Sequence, residues 1–152
     1  PYRQERLVLA VPAGHALARR SVVDFADTLD LDHVGLQEAS AIHGFIRGVS
    51  DELRRPIRWR IQVGSFETAC RMIEAGVGVG VLAGTAARRH AQTMAIAIVG
   101  LRDEWALREL RICARSLEAL PAFARDLIEL LVADARSAAA AGSGVGAGRM
   151  DR

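Results

Sequence analysis

The sequence has no lysine, only two cysteines, and no apolar run that approaches the ~20 residues of a membrane-spanning helix. Its 20 basic residues are all arginines, and 18 acidic residues leave a formal net charge of only +2 at pH 7. No block of like charges stands out, which argues against the basic stripe that nucleic-acid binding requires. A transmembrane helix is therefore not predicted, and the missing lysines are best explained by GC-rich coding.

The two cysteines, Cys70 and Cys113, lie in apolar surroundings without the spacing of a metal or redox motif, so we expect buried free thiols in a reducing compartment. The beginning of the chain lacks the apolar segment of a signal peptide, which agrees with a cytoplasmic location. No metal or other cofactor is predicted, because the four histidines are scattered without ligand spacing. They are His15, His33, His43 and His90. Since the chain starts at Pro1, we interpret it as a fragment of a longer protein.

The most informative segment reads as a complete βαβ unit. Residues 58–63 alternate polar and apolar side chains, which predicts a strand with one buried face. Ser65 can cap the following amphipathic helix, and Gly76 stands where a left-handed residue commonly ends a helix. The valine–glycine alternation that follows predicts a second strand covered on both faces, where Gly78 and Gly80 would let a helix or a ligand approach the backbone closely. Such units build parallel sheets through right-handed crossovers.

Alternating strands and helices continue along the chain, which predicts an α/β fold. Residues 13–18 read as a loop, and Ser40 and Pro121 are placed to begin the helices that follow them. Residues 139–152 are rich in alanine, glycine and serine and are predicted to be disordered. Further strands are predicted over residues 6–12, 33–36, 77–82, 95–99 and 107–115, and further helices over 21–27, 41–53, 85–92 and 122–138.

Three phrases resemble one family, in the correct order and spacing. Residues 7–17 read LVLAVPAGHAL, residues 63–82 end in Ala-Gly-x-Gly-x-x-x-Leu, and residues 101–115 contain Asp-x-Trp-Ala-x-Arg-x-Leu. Over about residues 6–131 the chain is similar to the effector-binding domains of LysR-type transcriptional regulators. One departure is Ala83-Gly84, where the family usually has proline, so that loop is expected to be looser.

The resemblance implies a type-II periplasmic-binding-protein-like fold, in which two α/β subdomains enclose a small-molecule cleft. In that picture this chain holds the complete second subdomain and the C-terminal part of the first, without the DNA-binding winged helix-turn-helix. The expected divisions are a crossover strand over residues 1–12, the second subdomain over 13–99, a return crossover with a C-terminal helix over 100–138, and a disordered tail over 139–152.

In open α/β sheets, ligands bind at the carboxyl ends of strands, and helix N-termini there suit carboxylates and other anions. Two such helix starts are predicted to face the cleft, with the loop after residue 82 as a third wall. The predicted effector contacts are Ser40, Ala41, Gly64, Ser65, Phe66, Ala83 and Gly84. The alternative is that Ser40 and Ser65 are ordinary helix caps.

Other motifs are interpreted as structural. The repeated glycines at 76, 78 and 80 precede a strand rather than joining a strand to a helix, which excludes a dinucleotide-binding loop. Cys70 lies on the apolar stripe of its helix, which predicts a core thiol rather than a catalytic one. Trp59 and Trp105 are interpreted as packing residues rather than ligand stackers, with a hinge role left open for Trp105.

The function that the resemblance implies is effector sensing for a bacterial LysR-type regulator, with DNA bound only through the absent N-terminal domain. The alternative is an extracytoplasmic solute-binding receptor of the same fold. An enzyme is not predicted, because no nucleophile–base pair or carboxylate cluster is visible. The expected partners are a small-molecule effector, with carboxylates as the suggested class, and further copies of the chain, as a dimer or, at full length, a tetramer. Lacking most of one subdomain, the chain is expected to expose apolar surface and to form a non-native dimer or aggregate.

Overall fold

The computed structural model describes residues 2–143, which divide into two compact units. The larger unit spans Glu5–Arg108, and the smaller unit joins residues 2–4 to residues 109–143. The strands are β1 (Arg3–Pro12), β2 (Val22–Val23), β3 (Asp32–Leu36), β4 (Arg58–Val63), β5 (Gly80–Ala83), β6 (Ile96–Leu101) and β7 (Leu107–Leu110). The α-helices are α1 (Ala41–Glu52), α2 (Phe66–Glu74), α3 (Gly84–Ala91) and α4 (Ala122–Ser143).

The larger unit is built on a mixed sheet with β1 near its centre. Strand β1 runs antiparallel to β5 on one side and to β6 on the other, and β6 pairs in parallel with β2. The parallel pair β3–β4 joins this sheet through Val79, whose N–H donates to the carbonyl oxygen of Asp32 at 2.9 Å and whose oxygen accepts from Val34 N–H at 2.7 Å. The strand order is therefore β4-β3-β5-β1-β6-β2, and the predicted α/β class is confirmed.

Strand β1 contributes to both faces of the core because both faces of the sheet are covered. Leu7, Leu9 and Val11 pack on one face with α1 and the Phe25 segment, whereas Val8 and Ala10 pack on the other with α2 and α3. Such a strand is apolar at successive positions rather than at alternate ones, which matches the run that follows residue 6.

The βαβ unit forms, with its second strand over Gly80–Ala83 rather than over the predicted residues 77–82. Strand β4 has the predicted bounds, Ser65 caps α2, and Gly76 follows that helix with a φ of 79°. Gly78 admits the neighbouring strand β3, and Gly80 admits both β3 and, as predicted, a helix, because a Cβ atom at Gly80 would also lie 3.0 Å from Ile73 Cδ1 of α2. A Cβ atom at Gly78 would lie 2.3 Å from the carbonyl oxygen of Asp32, and one at Gly80 would lie 2.9 Å from that of Val34.

Two local predictions near the start of the chain are wrong. Residues 21–27 do not form a capped helix but give the short strand β2 and then a 3-10 helix over Phe25–Thr28. The β-branched residues of β2 pair with β6 instead, a non-local partner that local capping signals do not show. The predicted loop at 13–18 contains the beginning of a 3-10 helix over Ala16–Arg19, where His15 Nδ1 accepts from Leu17 N–H at 3.1 Å.

The strand predicted over 107–115 ends at Leu110. Its partner is the start of β1, where Tyr2 N–H donates to the carbonyl oxygen of Leu110 at 2.6 Å, so β1 offers no further residues to pair. Helix α4 continues to Ser143, which overturns the prediction of disorder for residues 139–143. An alanine run favours helix, which accounts for the extension beyond residue 138. The rest of the predicted tail, 144–152, lies outside the described residues.

The cysteines differ from each other. Cys70 is fully buried on α2, as predicted, and burial raises the pKa of its thiol. Cys113 is exposed, so the prediction of a buried thiol there is wrong. It lies after the end of β7, outside any strand.

His33 lies in the core of the larger unit, where its Nε2–H donates to the carbonyl oxygen of Thr28 at 2.9 Å. Burial lowers the pKa of His33 below its ordinary value, against the smaller opposing effects of the Thr28 bond and the Asp32 charge. The unfolded chain therefore binds a proton more tightly at this site than the folded unit does.

We expect the free energy of unfolding to be insensitive to His33 above about pH 6.5, its unfolded pKa, and to fall as the pH drops below that value. The measurement is urea unfolding of the chain at several pH values between about 8 and 5. In a His33→Gln variant the slope between about pH 6.5 and 5 should become shallower. An unchanged slope would show that His33 does not carry this pH dependence.

Candidate functional site

Three parallel strands, β4, β3 and β5, end at one edge of the sheet. The register pairs Leu36, the last residue of β3, with Val63, the last residue of β4. Gln37 N–H then donates to the carbonyl oxygen of Val63 at 3.0 Å, which extends the ladder by one residue. The loops that lead into α1 and α2 therefore begin side by side, as the strand order predicts.

Gln37 is a residue of this edge that the sequence interpretation missed. Its side-chain amide lies over Gly64, because a Cβ atom at Gly64 would be 3.4 Å from Gln37 Nε2. Both residues are exposed. The sequence could have indicated Gln37, because this residue directly follows a predicted strand, at the end of the strand where ligands bind in α/β sheets. The side-chain amide of Gln37 adds two N–H donors and one carbonyl oxygen acceptor to this edge of the sheet.

The two serines behave differently. Ser65 Oγ accepts from Thr68 N–H at 3.1 Å and lies 2.9 Å from Thr68 Oγ1, so its hydroxyl serves as a helix cap. Ser40 stands at the N-cap position of α1 but makes no side-chain capping bond, and its own N–H donates to the carbonyl oxygen of Gln37 at 2.8 Å. The Ser65 hydroxyl therefore acts as an ordinary helix cap. The Ser40 hydroxyl makes no side-chain capping bond and can bind another group.

Ala83 and Gly84, the third predicted side of the effector site, lie at the same edge of the sheet but are buried. A Cβ atom at Gly84 would lie 2.5 Å from the carbonyl oxygen of Arg6 in β1, which accounts for glycine at that position. The same Cβ position is 3.0 Å from Arg88 Nη2, so a guanidinium group lies beside this loop. Any contact made here would come from the backbone or from Arg88.

The remaining predicted contacts flank the helix starts. Ala41 is exposed at the beginning of α1, and Phe66 is half-buried at the beginning of α2, packed against the core. The first N–H groups of a helix have no partners within it, so both starts present backbone donors beside Gln37 and Ser40. Such an edge can bind an anion through N–H groups and helix dipoles.

The two tryptophans pack within the larger unit, as predicted. The Trp59 ring stacks on His43 with centroids 4.8 Å apart and covers Gly35, where a Cβ atom would lie 2.5 Å from Trp59 Cζ3. Trp105 lies edge-on to Phe25, with ring centroids 5.4 Å apart.

Within residues 2–143, no group of three or more His, Cys, Asp or Glu side chains is arranged to hold a metal ion. None of the helices in the described part of the chain is both long and apolar enough to cross a membrane.

Comparisons with known proteins give one family. Residues 1–146 match the family described as the LysR substrate binding domain. Similar solved structures include the regulatory domain of Synechocystis PCC6803 CcmR in complex with 2-PG, at 17% identity and a TM-score of 0.74, covering 89% of this chain and 65% of that one. The effector binding domain of QuiR with shikimate is 15% identical with a TM-score of 0.69, covering 90% and 64%. That of BenM with benzoate is 18% identical with a TM-score of 0.65, covering 99% and 67%.

At these identities the structural likeness establishes the fold. The chain spans about half to two thirds of the length of these solved chains and of a BenM variant. Among curated proteins, no significant match was found.

Proposed function

Since the chain belongs to the LysR substrate binding domain family, we propose that it senses a small-molecule effector for a LysR-type transcriptional regulator. Its fold is the periplasmic-binding-protein-like fold of that family. The family match is the observation that carries this proposal, and it favours a regulator over the extracytoplasmic solute receptor. The role is regulatory rather than catalytic and belongs to the cytoplasm, and DNA contact would come from an N-terminal domain outside this chain.

In this proposal the larger unit supplies the second subdomain of the fold, centred on residues 13–99. Residues 1–12 and 100–138 cross to the first subdomain and contribute its C-terminal part. The geometry that supports this division is the position of β1 and β6, which are adjacent and antiparallel within the sheet.

The proposed effector site is the sheet edge formed by Ser40, Ala41, Gly64, Ser65, Phe66, Ala83 and Gly84, with Gln37 added. We propose a carboxylate as the effector class, because two helix starts and the Arg88 guanidinium lie at this edge. The benzoate and shikimate named with two structural neighbours are both carboxylates, which supports the same class.

Replacement of Ser40 by alanine is expected to weaken carboxylate binding by about tenfold, through the loss of one hydrogen bond to a charged group. Stability should change little, since Ser40 makes no side-chain capping bond. The measurement is isothermal titration of benzoate, shikimate and aliphatic carboxylates against the complete effector-binding domain, followed by the tightest ligand against the variant.

Ser65→Ala is the matched comparison. It removes a hydroxyl that already caps α2, so it should cost about 1 kcal/mol of stability and affect binding less than Ser40→Ala does. Equal affinity of wild type and Ser40→Ala for an identified carboxylate would show that this hydroxyl is not an effector contact.

We further propose that the chain self-associates, as its family relationship suggests. In the smaller unit, Phe123, Leu127 and Leu130 form a stripe along α4 and are 75%, 55% and 69% exposed. Positions i, i+4 and i+7 share one helix face, so these side chains make one continuous apolar surface.

A variant with glutamine at Phe123, Leu127 and Leu130 is expected to sediment as a smaller species than the wild-type chain. Glutamine keeps helix propensity while removing the apolar surface that drives association. Sedimentation velocity over a range of concentrations measures the difference, with Glu129→Gln as the control on the same helix. A wild-type chain that sediments as a monomer at all concentrations would contradict self-association.

A further inference from the structure

The segment that follows β6 leaves the sheet at the same edge as the proposed effector site. Strands β5 and β6 both run antiparallel to β1, so they run parallel to each other and end at the same edge, at Ala83 and Leu101. The chain then passes through a 3-10 turn over Glu104–Ala106 and leaves the larger unit after Arg108. Residues 102–108 are called the return segment below.

Side chains hold the beginning of the return segment. Arg102 N–H donates to the carbonyl oxygen of Val23 at 2.9 Å, which continues the pairing of β6 with β2. Phe25 N–H then donates to the Asp103 carboxylate at 2.9 Å, and Arg102 Nη1 donates to Asp24 Oδ2 at 2.7 Å. These contacts fix one point of the segment, so the 3-10 turn that follows is placed to pivot about Asp103, as hinges do at the ends of elements.

Trp105 connects the return segment to α1. Its ring lies edge-on to two phenylalanine rings, with centroids 5.7 Å from that of Phe45 in α1 and 5.4 Å from that of Phe25. The guanidinium carbon of Arg108 lies 5.2 Å from the centroid of the Phe45 ring. Phe45 therefore contacts two residues of the return segment, and a change in its position changes the packing of both.

The same helix begins at the proposed effector site. Phe45 follows Ser40 by five residues, which corresponds to about 7.5 Å along the helix axis. Helix α1 has only about three turns, and its backbone hydrogen bonds make it one rigid element. A ligand that binds the free N–H groups and the Ser40 hydroxyl at its start therefore also constrains the position of Phe45.

We propose that Trp105 is a positioning residue that transmits effector binding to the point where the chain leaves the larger unit. This inference rests on the proposed effector site. In one arrangement Trp105 packs against Phe25 and Phe45, as in the structure, and in the other it has turned away from Phe45 about Asp103. A carboxylate bound at the start of α1 fixes Phe45 and favours the packed arrangement. An edge-on aromatic contact is weak enough for a bound ligand to shift this equilibrium.

Fluorine NMR of the complete effector-binding domain, labelled with 5-fluorotryptophan, reports on Trp105 directly. The Trp105→Phe variant identifies its resonance. Benzoate, shikimate and aliphatic carboxylates are added, and their binding is measured in parallel by isothermal titration. We expect the Trp105 resonance to shift saturably with the calorimetric Kd of the ligand. The Trp59 resonance should shift less, because the aromatic contacts of Trp59 are His33 and His43.

Phe45→Leu keeps an apolar side chain but removes the ring that Trp105 and Arg108 contact. At saturating ligand, the Trp105 shift should fall at least about twofold, while the affinity weakens only about two- to threefold through the coupled equilibrium. Ile46→Val, at a buried residue of the same turn of α1, is the control and should keep the full shift. Circular dichroism confirms that both variants fold. A purely structural role of Phe45 would lower stability without reducing the shift.

Carboxylate binding without a shift of the Trp105 resonance would overturn this inference and leave the proposed effector site intact. A full shift in Phe45→Leu would do the same. If calorimetry detects no binding by any of the carboxylates, the proposed effector class and this inference are both wrong. The two failures are distinguishable, because calorimetry measures binding and the Trp105 resonance measures its transmission.

Discussion

Gly78→Ala is expected to lower the free energy of unfolding of the larger unit by about 2–4 kcal/mol. The added methyl group would lie 2.3 Å from the carbonyl oxygen of Asp32. That oxygen belongs to the backbone of β3 and also accepts from Val79 N–H, so it cannot move aside as a flexible side chain would. Relief of the clash requires β3 to shift away from Val79, which breaks the connection between the β3–β4 pair and the rest of the sheet.

Gly44→Ala is the matched control, because Gly44 lies within α1 and a Cβ atom there meets nothing within 4 Å. Alanine is favoured over glycine in a helix by about 1 kcal/mol, so this variant should be as stable as wild type or more so. Urea unfolding of both variants measures the difference. Similar stabilities for Gly78→Ala and wild type would mean that β3 and the segment at Val79 are less closely packed than described.

The parts of the fold that were predicted correctly are those whose signals are local. Strand β4, the Ser65 cap and the glycine after α2 all lie within twenty residues of each other, and each forms where it was predicted. The buried face predicted for β4 is wrong, because its apolar residues are only half-buried or, at Ile61, exposed. The strand that packs against Gly78 could not be predicted from such local signals. That strand is β3, more than forty residues earlier in the chain.

The errors come from non-local pairing. Residues 22 and 23 form a strand because β6 lies beside them, and the strand after residue 107 is short because β1 begins at Arg3. At the candidate site, the order of the strands placed the loops of Ser40 and Ser65 together, as expected. The burial of Gly84 was not foreseeable, since it follows from the antiparallel insertion of β1 beside β5.

The largest loss of stability is expected for Phe25→Ala, at about 3–5 kcal/mol. Phe25 is fully buried and lies edge-on to Trp105 at 5.4 Å and to His33 at 6.3 Å, which are ring-centroid distances. Its N–H donates to the Asp103 carboxylate at 2.9 Å. Removal of the ring leaves a cavity between Trp105 and His33, and His33 is fixed in strand β3, so the surroundings collapse only in part to fill it.

Phe123→Ala removes the same side chain from an exposed position on α4 and should leave the unfolding midpoint of the larger unit unchanged. Phe25→Leu, which keeps most of the apolar volume, should fall between wild type and Phe25→Ala. The measurement is urea unfolding followed by near-ultraviolet circular dichroism, in which Trp105 should also lose part of its signal once its aromatic neighbour is gone. A Phe25→Ala variant with the stability of Phe123→Ala would contradict the packing of Phe25 between His33 and Trp105.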